Sequence, residues 1–164
     1  MDYGRFYANM TQIFRKYDRL HLGLIYFNMY FTYAMYLLYP CLLVYMLIWK
    51  RSMFLKTLLV PAVFFTVLTY VRRRINRQRP YEKWDLDVLL EKATKGNSMP
   101  SRHVFSAVVI AMAVMQVSEL LGNFLLLLSL FSCVVRVLLG VHYPSDVIAG
   151  YLCGLAAGAV MFVL

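Results

Sequence analysis

The chain is short of acid. Eight Asp and Glu stand against 17 Lys and Arg, and charged residues make up only 15% of its 164 positions. A soluble domain carries nearer a quarter. So little charge excludes an ordinary solvated surface, and the 62% hydrophobic content shows what replaces it. Cysteine is also scarce. Cys41, Cys133 and Cys153 are odd in number, lie inside apolar runs and show no CxxC or Cys/His spacing. They read as small buried hydrophobes rather than as disulfides or metal ligands. The first twenty residues lack the continuous apolar core and small-residue cleavage site of a secretory signal. Polar connecting sequence is confined to one long stretch, residues 75–101.

What is present is a series of long apolar runs, the mark of membrane spans rather than of a large soluble core. The expected fold is all-α, a polytopic transmembrane helix bundle of about five spans at 22–49, 53–71, 102–118, 124–141 and 147–164. Pro40 marks a candidate kink in the first span, which Lys50 and Arg51 close. Arg72, Arg73 and Arg74 end the second, and Glu119 with Gly122-Asn123 marks a tight connection before the fourth. Gly150, Gly154 and Gly158 recur every four residues in the fifth, a stripe that favours close helix packing. Residues 1–20 set Tyr3, Phe6, Tyr7, Met10, Ile13 and Phe14 at helical spacings against Arg5, Arg15, Lys16 and Arg19. They predict an interfacial amphipathic helix ahead of a membrane domain at 21–164. With five crossings, that helix, the loop at 72–101 and the turn at 142–146 share one membrane face.

The formal net charge is +9. Nucleic acid is the first partner such a charge suggests, but the basic residues border apolar runs, so no nucleic acid is expected. Membrane lipids, or a phosphorylated substrate held by arginines, account for the charge more economically.

Arg136 interrupts an apolar run. An intramembrane charge costs at least ~2.5 kcal/mol, so it is normally paired or functional, unless it snorkels to the interface. His142 follows six residues later and Asp146 four after that. A carboxylate on one imidazole nitrogen fixes the tautomer and leaves the other as a nucleophile or base; the plainer alternative is two polar capping residues. Pro100-Ser101-Arg102-His103 opens the third span, with Ser101 as N-cap. Backbone N–H groups at such a helix start form an anion site beside His103. Arg72 and Arg79 are seven apart and share a face if helix persists through both. Two guanidinium groups on one face suit a phosphate. Arg73, Arg74 and Arg77 read as a juxtamembrane basic cluster.

These segments resemble the type 2 phosphatidic acid phosphatase superfamily, which includes the vanadium haloperoxidases and bacterial nonspecific acid phosphatases. Its signature is Lys-x6-Arg-Pro, Pro-Ser-Gly-His, then Ser-Arg-x5-His-x3-Asp. Here the parts read Arg72-x6-Arg79-Pro80, Pro100-Ser101-Arg102-His103 and Val135-Arg136-x5-His142-x3-Asp146. The resemblance covers about residues 60–164. Arg72 stands where lysine is usual, Arg102 replaces the glycine and Val135 replaces the serine.

The resemblance implies that His142 attacks phosphorus, Asp146 orients it, and His103 protonates the leaving oxygen and then activates water. It implies that Arg72, Arg79, Ser101, the Arg102 backbone and Arg136 hold the phosphate, and that no metal or other cofactor is needed. The implied activity is hydrolysis of a lipid phosphate or diphosphate of the polyprenyl diphosphate, phosphatidylglycerol phosphate or phosphatidic acid type. A phosphotransferase using the same histidine, or a noncatalytic protein binding anionic lipid, are the competing readings. Compact size and short loops point to a prokaryotic plasma membrane. The Lys and Arg count favours a cytoplasmic site face, whereas the family usually places it outside the cytoplasm; the expectation follows the family.

Overall fold

The computed structural model describes residues 3–84, 86–90 and 93–164. Among the described residues there are six helices of at least fourteen residues and one single turn: α1 Tyr3–Lys16, α2 Asp18–Trp49, α3 Arg51–Ile75, α4 Pro80–Lys83, α5 Arg102–Met115, α6 Glu119–Leu138 and α7 Pro144–Val163. The architecture is all-helical, as expected. Among the described residues, four helices are long and apolar enough to cross a membrane: α2, the helix that starts at Arg51, α6 and α7. They present a belt of exposed large apolar side chains, Leu37, Leu47, Val63, Leu127 and Leu152 among them. This is an integral membrane protein.

The expected count of five spans is not met by the same measure. The segment expected as the third span ends at Met115, and α5 is only 14 residues, about 21 Å of helix against a hydrocarbon core of about 30 Å. The chain turns at Gln116–Ser118, where the Ser118 hydroxyl accepts from Leu121 N at 3.4 Å. Glu119, Gly122 and Asn123, expected in the connection, lie inside α6. Helix α5 is apolar all round, with nine buried residues from Val104 to Val114. Such a helix belongs in a protein core, and α6 and α7 enclose it.

The glycine stripe brings α7 against α5. A Cβ at Gly150 would stand 2.5 Å from the Ser101 carbonyl oxygen, and one at Gly154 2.7 Å from Val108 Cβ. Backbone thus meets backbone at Gly150, where Ser101 N donates to Asp146 O at 2.9 Å. Pro40 does not break α2. Arg72 does not end α3 but lies in its last turn, and Asn76 closes the helix in the left-handed region at φ 41°.

Contacts at one end of the bundle gather the ends of α3, α5, α6 and α7. Arg72 Nη1 donates to Pro100 O at 2.8 Å, and Arg79 Nη1 to Val141 O at 3.3 Å. Helix α1 docks at the same end. Tyr7 is 1% exposed, and its hydroxyl donates to Leu138 O at 2.8 Å. Thus α1 turns its buried face to protein rather than lying wholly in lipid.

Candidate active site

Each motif residue owes its place to a helix end. Arg136 sits in the last turn of α6. Gly140, at φ 75°, then turns the chain, and Val141 N donates to Arg136 O at 3.3 Å just ahead of His142. Asp146 is in the first turn of α7, where its Oδ2 accepts from Tyr143 N at 3.0 Å. Ser101 occupies the N-cap position of α5, but its hydroxyl makes no cap bond; that oxygen is buried without a hydrogen-bond partner. Arg72 and Arg79 do not share a helix face, because helix stops at Ile75. They converge because the loop after Asn76 folds back. Glu82 ties that loop, its Oε2 accepting from Arg79 N at 2.7 Å and from Gly96 N at 2.8 Å.

Arg72, Arg79 and Arg136 are buried, at 6%, 8% and 2% exposure. Among the described residues none of them pairs with a carboxylate. Arg72 and Arg79 spend their donors on the carbonyls of Pro100, Val141 and Gly96. The Nε of Arg136 is buried with no partner. A buried guanidinium without a carboxylate to balance its charge costs several kcal/mol.

His142 is 2% exposed. Burial pushes its imidazole down to about 4; the Arg136 and Arg79 charges add to the fall, and Asp146 opposes it. The ring is therefore neutral at pH 7. Its Nδ1 lies 3.6 Å from Asp146 Oδ2, too far for a hydrogen bond. Ser98 fills the gap. Its oxygen is 3.4 Å from His142 Nδ1, and its hydroxyl donates to Asp146 Oδ2.

A cavity of about 200 Å³ opens beside this cluster. His103, Arg102 and Arg136 form its polar end, with Met35, Tyr36 and Phe65 among its apolar walls. The Arg102 guanidinium lies 5.7 Å from the Phe65 ring centroid. A second, almost wholly apolar cavity of about 260 Å³ between α2, α3 and α5 shares Met35, Tyr36 and Phe65 with the first. His103 and Arg102 are exposed, whereas His142 and Asp146 are buried; Arg136 both lines the cavity and acts electrostatically on His142.

Sequence reasoning missed Ser98 and misassigned Arg77. Arg77 is no mere juxtamembrane charge, because its Nη1 donates to Asp146 Oδ1 at 2.7 Å. The sequence carries no signal that would have found Ser98, and Arg77 was one basic residue among many.

A family model described as PAP2 superfamily matches residues 52–164. The crystal structure of Aquifex aeolicus LpxE is similar at a TM-score of 0.76 and 21% identity, over 98% of this chain and 94% of that one. So is that of a transmembrane PAP2-type phosphatidylglycerolphosphate phosphatase from Bacillus subtilis, at a TM-score of 0.70 and 21% identity, over 88% of this chain and 75% of that one. At this identity the two structures share the fold. No curated protein sequence matches the chain.

Proposed function

This chain belongs to the PAP2 superfamily, and from that membership we propose that it hydrolyses a lipid phosphate or diphosphate through a phosphohistidine on His142. The observation that carries the reading is the set of three buried arginines, without carboxylate partners among the described residues, beside a buried, neutral histidine.

The steps follow from the groups present. The phosphate oxygens lie among Arg72, Arg79, Arg136, the Ser101 hydroxyl and the Arg102 backbone N–H. Nδ1–H of His142 faces Ser98 and Asp146, which leaves the lone pair on Nε2. That pair attacks phosphorus, the bond from phosphorus to the lipid oxygen breaks, and His103 gives its proton to that oxygen. His103 then takes a proton from water. The resulting hydroxide attacks phosphorus, the P–N bond breaks, its electron pair returns to Nε2, and inorganic phosphate leaves. Acid–base help of this kind is typically worth ~10²–10⁴-fold. The apolar cavity adjoining the polar one suits the lipid chain.

Within this reading the interfacial helix expected at 1–20 is α1, docked over the site end, and residues 21–164 form the phosphatase domain. Helix α5 is a short fifth span enclosed by protein. The protein sits in a prokaryotic plasma membrane with the site facing away from the cytoplasm.

The test is phosphate release by detergent-purified protein from phosphatidic acid, phosphatidylglycerol phosphate and a polyprenyl diphosphate, with EDTA present. Release from at least one lipid is expected. No release from any by folded protein, or release only when a metal is restored, contradicts the reading.

The pH profile gives a second prediction. Attack requires neutral His142, and neutral imidazole persists above about 4. The acid limb of kcat/KM due to this residue therefore falls near pH 4, not at the ordinary histidine value of about 6.5. Assays across this range, with a substrate whose own phosphate ionisation is subtracted, check it; a limb at the ordinary value contradicts a buried nucleophile.

A further inference from the structure

The loop between α3 and α5 sends two side chains to the carboxylate behind the proposed nucleophile. Arg77 Nη1 donates to Asp146 Oδ1 and to Ser145 Oγ, both at 2.7 Å. Its guanidinium lies over the Tyr143 ring, 4.1 Å from the centroid. Ser98, fully buried, donates to Asp146 Oδ2 from the other side. The Tyr143 backbone N–H gives Oδ2 a second donor at 3.0 Å. Donors on both oxygens fix the carboxylate against rotation. Because the Ser98 proton is committed to Asp146, the lone pairs of its oxygen are left for the imidazole Nδ1–H 3.4 Å away. That contact selects the tautomer whose free lone pair is on Nε2.

We infer that Arg77 and Ser98 are positioning residues for His142, Arg77 acting through Asp146 and Ser98 both through Asp146 and by its own contact with Nδ1, without touching the phosphate. The inference rests on the reading of His142 as nucleophile. A role as loop anchors alone does not account for them. The loop is already tied by Ser98 N donating to Arg77 O at 2.9 Å and by Glu82 bonding Arg79 N and Gly96 N. The Arg77 side chain is 34% exposed while its carboxylate partner is fully buried, so water is available to the guanidinium and a charge partner is what the carboxylate gains.

The test uses the full chain in detergent and the fastest lipid from the panel above. Arg77→Gln and Ser98→Ala are each expected to lower kcat by about 10–100-fold with KM within about twofold, because neither side chain meets substrate. Arg77→Lys, which keeps the charge, should recover most of the loss. In an Asp146→Asn background, adding Arg77→Gln should change kcat by less than about twofold, since coupled residues are non-additive. Wild-type kcat in both Arg77→Gln and Ser98→Ala overturns the inference. So does a loss that appears in KM, or one that persists in full beside Asp146→Asn. Should Arg77→Gln not fold, Ser98→Ala and Arg77→Lys decide the question by the same kcat and KM criteria. A fully active His142→Ala protein would instead sink the proposed function; an inactive one beside active Arg77 and Ser98 variants sinks this inference alone.

Discussion

His142→Ala is expected to release phosphate about 10⁴-fold more slowly than wild type while remaining folded. The size follows from the chemistry. Without Nε2 no covalent intermediate forms, and what remains is the binding of the phosphate by arginines. The retained fold follows from the structure. His142 is neutral where it sits, so its removal strips no charge from Asp146, which keeps Arg77, Ser98 and the Tyr143 N–H as partners. Phosphate release and thermal unfolding, measured on one preparation, check both halves. A slow enzyme that has also lost its cooperative unfolding contradicts the assignment, because the loss would then be structural.

Arg136→Met is expected to lower kcat/KM by about 10²–10³-fold and to leave thermal stability unchanged or raised. The first effect is the loss of a preorganised cation at the oxygens where charge develops. The second has the opposite sign from an ordinary core substitution. Arg136 is 2% exposed, and its Nε is buried without a partner. Replacing buried ion pairs by well-packed apolar side chains of similar volume is often neutral or stabilising by about 1–4 kcal/mol, and Arg136 has no carboxylate partner among the described residues that its removal would orphan. Activity and melting temperature moving in opposite directions is the signature of a charge kept for its substrate. A melting temperature that falls with activity means that Arg136 holds the bundle together and contradicts that assignment.

The candidate site was legible where its residues lie at helix ends separated by short turns. Arg136, His142 and Asp146 span one turn between α6 and α7, so their spacing alone brought them together. The Arg72 and Arg79 pair was found for a reason that failed, since Asn76 stops the helix and the folded-back loop does what a shared face was expected to do. Ser98 lay beyond reach. It sits in an irregular loop where no period relates sequence to space, and its partner is 48 residues away. Arg77 was hidden by its neighbours, because a string of arginines at a membrane edge is what anionic lipid also selects. Hydropathy likewise overran the end of α5, since it cannot see a turn made by Gln116 and Val117. The better signal was Ser118 followed by Glu119, an N-cap with an acid in the first helical turn.

The central claim is that phosphorus becomes bonded to His142. Rapid acid-free quenching of wild-type protein with a lipid bearing radiolabelled phosphate, followed by peptide mapping at alkaline pH, tests it directly. The account predicts label that is stable to alkali and lost in acid, carried by the peptide containing His142 and missing from His142→Ala. Rapid phosphate release by wild type with no label on that peptide at any quench time, or label on another residue, would contradict it.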